Sequence, residues 1–367
     1  MKTFVFMHHE IITCKDSLEH TMALNLVTFL VAPIYLTMAV CAYTTFFSTT
    51  LESFSLHGKL RIDHDARIES RFWKKIDLAL VPKRWFFHFY IFGLASAFSI
   101  LSYQISTIIY DPSFQFVTWP VPKLLLWGSL ISHLTRRLYE CFRVHQWNDA
   151  RMNIAGYAVG LIHYILLPLC FMDCTNFDED WFIRQNGYMN LVFAVLGFSV
   201  CLWGQFEQHI HHKLLANLRT RKMSKFLHES KISQNCVTEK FSLPEGRWFN
   251  YVSCPHYLAE IMIYVGLIII SNCFQCRLSC HPSEAESRLL VSMDWQIANC
   301  VSYAQICTIM YWITTGIKEL AYFKRASLML WVVTNLSISA SRSHDLYKRE
   351  FAKKIPVDRM ALFPFLW

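Results

Sequence analysis

Four groups of polar residues in this 367-residue chain have the types and spacing to hold an anion or pass a proton. Ser132-His133-Leu134-Thr135-Arg136-Arg137 sets His133 and Arg137 four apart, on one face of any helix that carries them. Gln208-His209-Ile210-His211-His212 runs on to Asn217 and Arg219, and imidazole and guanidinium donors together suit phosphate oxygens. Pro244-Glu245-Gly246 reads as a turn into the aromatic stretch Arg247-Trp248-Phe249-Asn250. Pro255 then suits a first helical turn with Ser253 as its cap, and His256 and Glu260 again stand at i and i+4. The last group is Ser343-His344-Asp345-Leu346-Tyr347. Each group also has a plainer reading: arginines anchoring a helix end, a structural pair at the top of a span, an amphipathic tail.

Metal chemistry fits poorly. Membrane di-iron enzymes use several boxes of the HxxxH or HxxHH type, whereas residues 209–212 read HxHH and His88, His133 and His163 stand alone. No metal site is expected. Cys273, Cys276, Cys280 and His281 have zinc-like spacing but no matching second half, so a disulfide or no bond at all is the better expectation. Neither GxGxxG nor GxxxxGK[ST] occurs, which excludes a Rossmann or P-loop route to a nucleotide.

The elements that must position these residues follow from charge. Lys and Arg number 35 and Asp and Glu 27, only 17% of the chain, against about 25% in soluble domains. The charges avoid eight runs altogether: 21–51, 85–110, 124–135, 152–172, 185–206, 261–276, 295–317 and 326–341. Apolar runs of about 20 residues match the hydrocarbon core of a bilayer as helices. This pattern excludes a secreted, nuclear or simple cytosolic domain. The expected fold is all-α: a polytopic membrane bundle of about seven transmembrane helices with short cytosolic loops. The connectors 52–84, 136–151 and 207–255 are rich in Lys and Arg, so by the positive-inside rule they face the cytosol. Eight crossings would leave the basic tail (Arg342, Lys348, Arg349, Lys353, Lys354, Arg359) on the opposite side. Seven would return it to the cytosol, so one of the last two runs is expected not to be a simple span. The phenylalanines, 29 in number and dense in the runs 85–110 and 185–206, suit both lipid-facing and apolar-cavity surfaces.

Taken in order, HLTRRLYEC (133–141), GLIHY (160–164), QHIHHKLLANLR (208–219), LPEGRWFNYVSCPHYLAEIMIY (243–264) and SHDLY with ALFPFLW (343–367) resemble the steroid 5-alpha-reductase family, and within it the polyprenal reductase branch of dolichol synthesis. The 243–264 stretch is the most specific. The resemblance implies a seven-helix enzyme of the endoplasmic reticulum membrane with a cytosolic carboxy terminus. It implies NADPH as cofactor, a long isoprenoid substrate drawn from the bilayer, a role in lipid metabolism that supports protein N-glycosylation, no nucleic acid and no obligate protein partner. It assigns His344 and Tyr347 to the catalytic step, and Arg137, His212, Asn217, Arg219, His256 and Glu260 to the cofactor. The arginines would pair with its phosphates, and Glu260 would take an amide or ribose hydroxyl.

The implied organisation is a lumenal segment 1–20, a core membrane region 21–275, an insertion 276–325, and a last helix with cytosolic tail 326–367. The chain departs from the family in reading His at 256 and 211. Leu134 stands where steroid-reducing relatives place a Tyr, which makes a steroid the less favoured substrate. A steroid enone reductase, an isoprenylcysteine-type methyltransferase and a non-enzymatic seven-helix receptor are the competing readings.

Overall fold

The structure, a computed structural model, describes residues 30–45, 47, 79–109, 121–147, 149–172, 187–229, 242–273 and 298–364. The segment 1–20, most of the connector 52–84, the acidic stretch 176–181, and Cys276, Cys280 and His281 lie outside the described residues. Cys273 is described, and is a buried free thiol.

Helices dominate: α1 (Leu30–Thr44), α2 (Phe86–Ile109), α3 (Val121–Arg143), α4 (Ile154–Cys170), α5 (Gly187–Glu229), α6 (Pro255–Asn272) and α7 (Ala298–Glu350). Three described stretches are long and apolar enough to cross a membrane: Lys83–Ser106, Tyr188–Thr220 and Pro255–Asn272. Helices α1 and α4 are apolar but shorter. Leucines, phenylalanines and valines of these helices lie exposed on the outside of the bundle, as a lipid-facing surface requires. Phe92 and Phe98 of α2 and Phe193 and Phe206 of α5 are among them, so these rings face outward instead of lining an internal cavity.

The all-α expectation gains one exception. Strand β1 (Leu80–Pro82) pairs antiparallel with β2 (Arg151–Asn153), with Val81 opposite Met152. This ribbon ties the start of α2 to the start of α4. Asn153 then caps α4, its side chain accepting from the Ala155 amide at 2.8 Å.

Helices α5 and α6 pack through glycine. A Cβ placed on Gly266 would come within 2.6 Å of the Gly197 carbonyl, and one on Gly204 within 2.9 Å of the Ala259 carbonyl. In lipid, where burying apolar surface gains nothing between helices, such close backbone approach is a principal source of attraction. Deeper in the bundle, four helices meet at His163 of α4. The Tyr35 hydroxyl of α1 donates to its carbonyl at 3.0 Å, and the Trp331 indole of α7 donates to Nδ1 at 3.2 Å. Tyr264 of α6 lies 2.8 Å from Nε2.

Helix α7 has 53 residues and no turn between the charge-free runs 295–317 and 326–341. A helix of that length spans about 80 Å, more than twice the bilayer core, and a straight rod cannot cross, return and cross again. Lys324 and Arg325 do not interrupt it. Lys324 Nζ reaches the carbonyls of Leu169 and Met172 at the carboxyl end of α4, and Arg325 reaches Asn272 Oδ1 at the end of α6 at 2.8 Å. Cations placed on the negative ends of helix dipoles are favourable.

Candidate active site

The starts of α2, α4 and α6, the ends of α3 and α7, and the middle of α5 come together at one end of the bundle. There the polar groups singled out in the sequence meet. Glu140, its side chain fully buried, is the hub. Arg136 and Arg137 of the same helix each donate to one of its carboxylate oxygens at 2.5 Å. From α5, His209 and His212 bring Nδ1 to 2.8 and 2.7 Å of the same two oxygens. Arg137 Nη1 also lies 2.9 Å from His212 Nδ1 and 3.3 Å from His145 Nε2, and its guanidinium covers the Tyr90 ring at 5.1 Å. The ligand atoms of Glu140, His145 and His212 lie within 4.8 Å of one another, close enough to suit a metal ion. The Arg137 guanidinium contacts all three, so it is itself the cation of that group.

Glu260, one turn and a half into α6, forms the second carboxylate node. Gln208 donates to it from α5 while also accepting from Arg136, which links the two nodes. His133 of α3 holds Nε2 at 3.4 Å from Glu260. His256, four residues earlier, does not pair with Glu260. Its carbonyl accepts weakly from Gln208 at 3.4 Å, and its Nδ1 is buried without a partner. The His256–Glu260 spacing is thus satisfied across helices instead of along one. Nearby, His211 is buried against Trp248 and Phe249, its Nε2 3.9 Å from the Glu207 carboxylate and neither ring nitrogen hydrogen-bonded among the described residues, and Arg247 pairs with Glu207.

The tail completes the rim. Gly246 and Arg247 turn with positive φ, 90° and 51°. Residues 251–254 then run parallel to residues 360–361: the Ser253 amide donates to the Met360 carbonyl at 2.8 Å and the Cys254 amide to Ala361 at 3.2 Å. The buried Arg359 reaches the Pro244 carbonyl at 3.1 Å. Ser253 is not the cap of α6; Cys254 holds that position, without a side-chain bond. The Ser253 hydroxyl instead bonds His344 Nδ1 at 2.8 Å, and both groups are buried. Burial, aided by Lys348 and Arg359 and opposed by Asp345, keeps the His344 pKa below its usual value, so the ring is neutral at pH 7. Tyr347, one turn on, is half-buried. Burial pushes its hydroxyl pKa up, with Arg219 and Arg359 near enough to pull the other way. Arg219 is exposed and donates to the Gln146 carbonyl at 2.8 Å. Asn217 is exposed on the outer part of α5.

The structure therefore brings Arg137, His212, His256 and Glu260 into one network, and His344, Tyr347 and Arg219 onto its rim. Asn217 stands outside the network. Glu140, Gln208, Arg136 and His133 were in the motifs but had no assigned part. The signal for Glu140 was available: an acid three and four residues after two arginines.

An apolar bundle with its polar chemistry at one end defines a multi-pass membrane enzyme. The chain belongs to the steroid 5-alpha-reductase family, oxidoreductases that act on carbon–carbon double bonds. The family model described as 3-oxo-5-alpha-steroid 4-dehydrogenase matches residues 165–278. The polyprenal reductase of Homo sapiens is 30% identical over 311 residues, which cover 78% of each chain. That of Danio rerio is 28% identical over 365 residues, 91% of this chain and 96% of its own. That of Caenorhabditis elegans is 32% identical over 219 residues, 52% of this chain and 64% of its own.

Proposed function

We propose that this chain reduces the α-isoprene double bond of polyprenal with NADPH, at the cytosolic face of the endoplasmic reticulum membrane, on the route to dolichol and so in support of protein N-glycosylation. About seven spans with a cytosolic tail accord with the charge pattern. The observation that carries the reading is the network joining Arg137, His212 and Glu260 across α3, α5 and α6 at the mouth of an apolar bundle, in a chain akin to polyprenal reductases. The residues present suit a dinucleotide. The exposed Arg219 beside Tyr347 offers charge for phosphate, and the buried, unpartnered His256 Nδ1 and Arg137 Nε are polar atoms in want of a ligand.

When bound, NADPH supplies the hydride for the β-carbon of the unsaturated carbonyl. The chain's own residues then have separate tasks. Arg219 and Arg137 balance phosphate charge, and Glu260 accepts from an amide or ribose hydroxyl. His344, held by Ser253 and neutral, can accept or donate a proton next to Tyr347. The glycine-packed helices below exclude water.

Purified protein is expected to consume NADPH with polyprenal and far more slowly with a steroid enone. His344→Ala and Arg219→Ala are each expected to abolish turnover without loss of expression. Normal turnover in both would refute this site, and equal rates on both substrates would move the reading to the steroid branch.

A further inference from the structure

Midway down the bundle, one hydroxyl group has a proton and, among the described residues, no acceptor for it. Trp331 has only an N–H to offer, so at 3.2 Å it makes His163 Nδ1 an acceptor. The neutral ring then carries its hydrogen on Nε2 and donates it to Tyr264 Oη at 2.8 Å. That oxygen is already accepting, and its own hydrogen must point elsewhere. Among the described residues no bond receives it, although Tyr264 is only 1% exposed. A buried donor left unmet costs about 1–3 kcal/mol, and lipid offers no water to relieve it.

The place of this hydroxyl is informative. Tyr264 follows Glu260 by four residues of α6, about 6 Å deeper into the bundle. Above it stands the network proposed to hold the cofactor; Tyr264 itself belongs to one buried apolar cluster with Leu130, Leu134 and Leu267, all fully buried. His133, whose ring lies 6.4 Å from that of Tyr264, is kept at the level above by Glu260. A lipid whose polar head is a single carbonyl oxygen, rising from the bilayer toward the hydride source, would need one hydrogen-bond donor at this depth.

We propose that Tyr264 donates a hydrogen bond to the carbonyl oxygen of the lipid substrate, and that His163 and Trp331 are positioning residues that aim it. The inference rests on the proposed polyprenal reduction. The bond strengthens as hydride addition at the β-carbon moves the π electrons onto that oxygen; the α-carbon then takes a proton passed inward by His344, which regains one from the solvent at the rim, and Tyr264 keeps its own. Donors aimed at developing oxyanion charge in a water-poor site act in this way.

The test is infrared spectroscopy of a polyprenal carrying ¹³C at its carbonyl, bound to purified protein without NADPH. Wild type is expected to lower the carbonyl stretch relative to an apolar solvent. Tyr264→Phe returns it to the solvent value while NADPH affinity is unchanged, and kcat falls about 100-fold with little change in KM. Trp331→Phe frees the tautomer, splits the band and lowers kcat about tenfold. Fluorotyrosine at position 264, a stronger donor of the same shape, lowers the stretch further and serves if Tyr264→Phe does not fold. An unshifted band in wild type, or a wild-type band in Tyr264→Phe, overturns the role of Tyr264. A wild-type band in Trp331→Phe overturns the aiming. Protein that shows the shifted band but never consumes NADPH with polyprenal would instead sink the proposed function.

Discussion

Helices α5 and α6 run side by side but hold together differently at their two ends. At the deep end Gly197 and Gly266 let backbone meet backbone, in stretches of both helices that have no Asp, Glu, Lys or Arg. At the shallow end Gln208 donates to Glu260 and to the His256 carbonyl, and through Arg136 the contact extends to Glu140. The deep end depends on the smallness of its residues. The shallow end depends on every polar group having a partner, because unpaired charge at low dielectric is costly. The reaction proposed here needs both: a seam that admits no water, and beside it polar groups that can take up a ligand.

Three experiments would separate the two ends. The largest effect should come from Glu140→Ala, which leaves the Arg136 and Arg137 guanidinium groups facing each other with no carboxylate between them. A loss of about 3–5 kcal/mol is expected, read as a drop in the thermal unfolding midpoint in detergent together with loss of cofactor binding. An unchanged midpoint would mean that the hub is not structural. Next, Gly266→Leu should cost about 1–3 kcal/mol by forcing α5 and α6 apart. The same midpoint falls, while cofactor affinity drops less than it does for Glu140→Ala. Equal losses of affinity in both would show that the two ends act as one.

The smallest effect is one of pH. Because His344 has its pKa depressed by burial, the unfolded chain takes up its proton near pH 6.5 while the folded ring stays neutral. Stability from this group is therefore complete above about pH 6.5 and is lost progressively below it, as pH falls through the lower pKa of the folded ring. Hydrogen exchange should loosen first at residues 251–254 and 360–361 on acidification, with the glycine seam unaffected.

Much of the shallow end was legible in the sequence because polar residues at the ends of apolar runs have few ordinary explanations. Arg137, His212, Glu260 and His344 stood out in this way. What could not be read was partnership. That Glu260 would turn to Gln208 and His133, and not to His256 on its own helix, depends on how α3, α5 and α6 cross. Ser253 looked like a helix cap because caps are local, whereas its bond to His344 joins residues far apart in the chain. The ribbon 80–82 with 151–153 was too short to leave a pattern of alternation. In α7, Lys318, Glu319, Lys324 and Arg325 read as a connector, since charge usually marks the end of a span. Lys324 and Arg325 instead find the carboxyl ends of two neighbouring helices, and the helix runs on.

The parallel contact between residues 251–254 and 360–361 has a consequence for biosynthesis. The amides of Ser253 and Cys254 find their acceptors on Met360 and Ala361, about a hundred residues later in the chain, and such distant pairings form late. Helices α1 to α6 can enter the membrane and pack while the ribosome is still at work, but the rim that carries His344 and Arg359 closes only after residue 361 has emerged. A chain arrested before that point would have a finished bundle and an open mouth, so quality control could distinguish an incomplete molecule by its failure to retain cofactor.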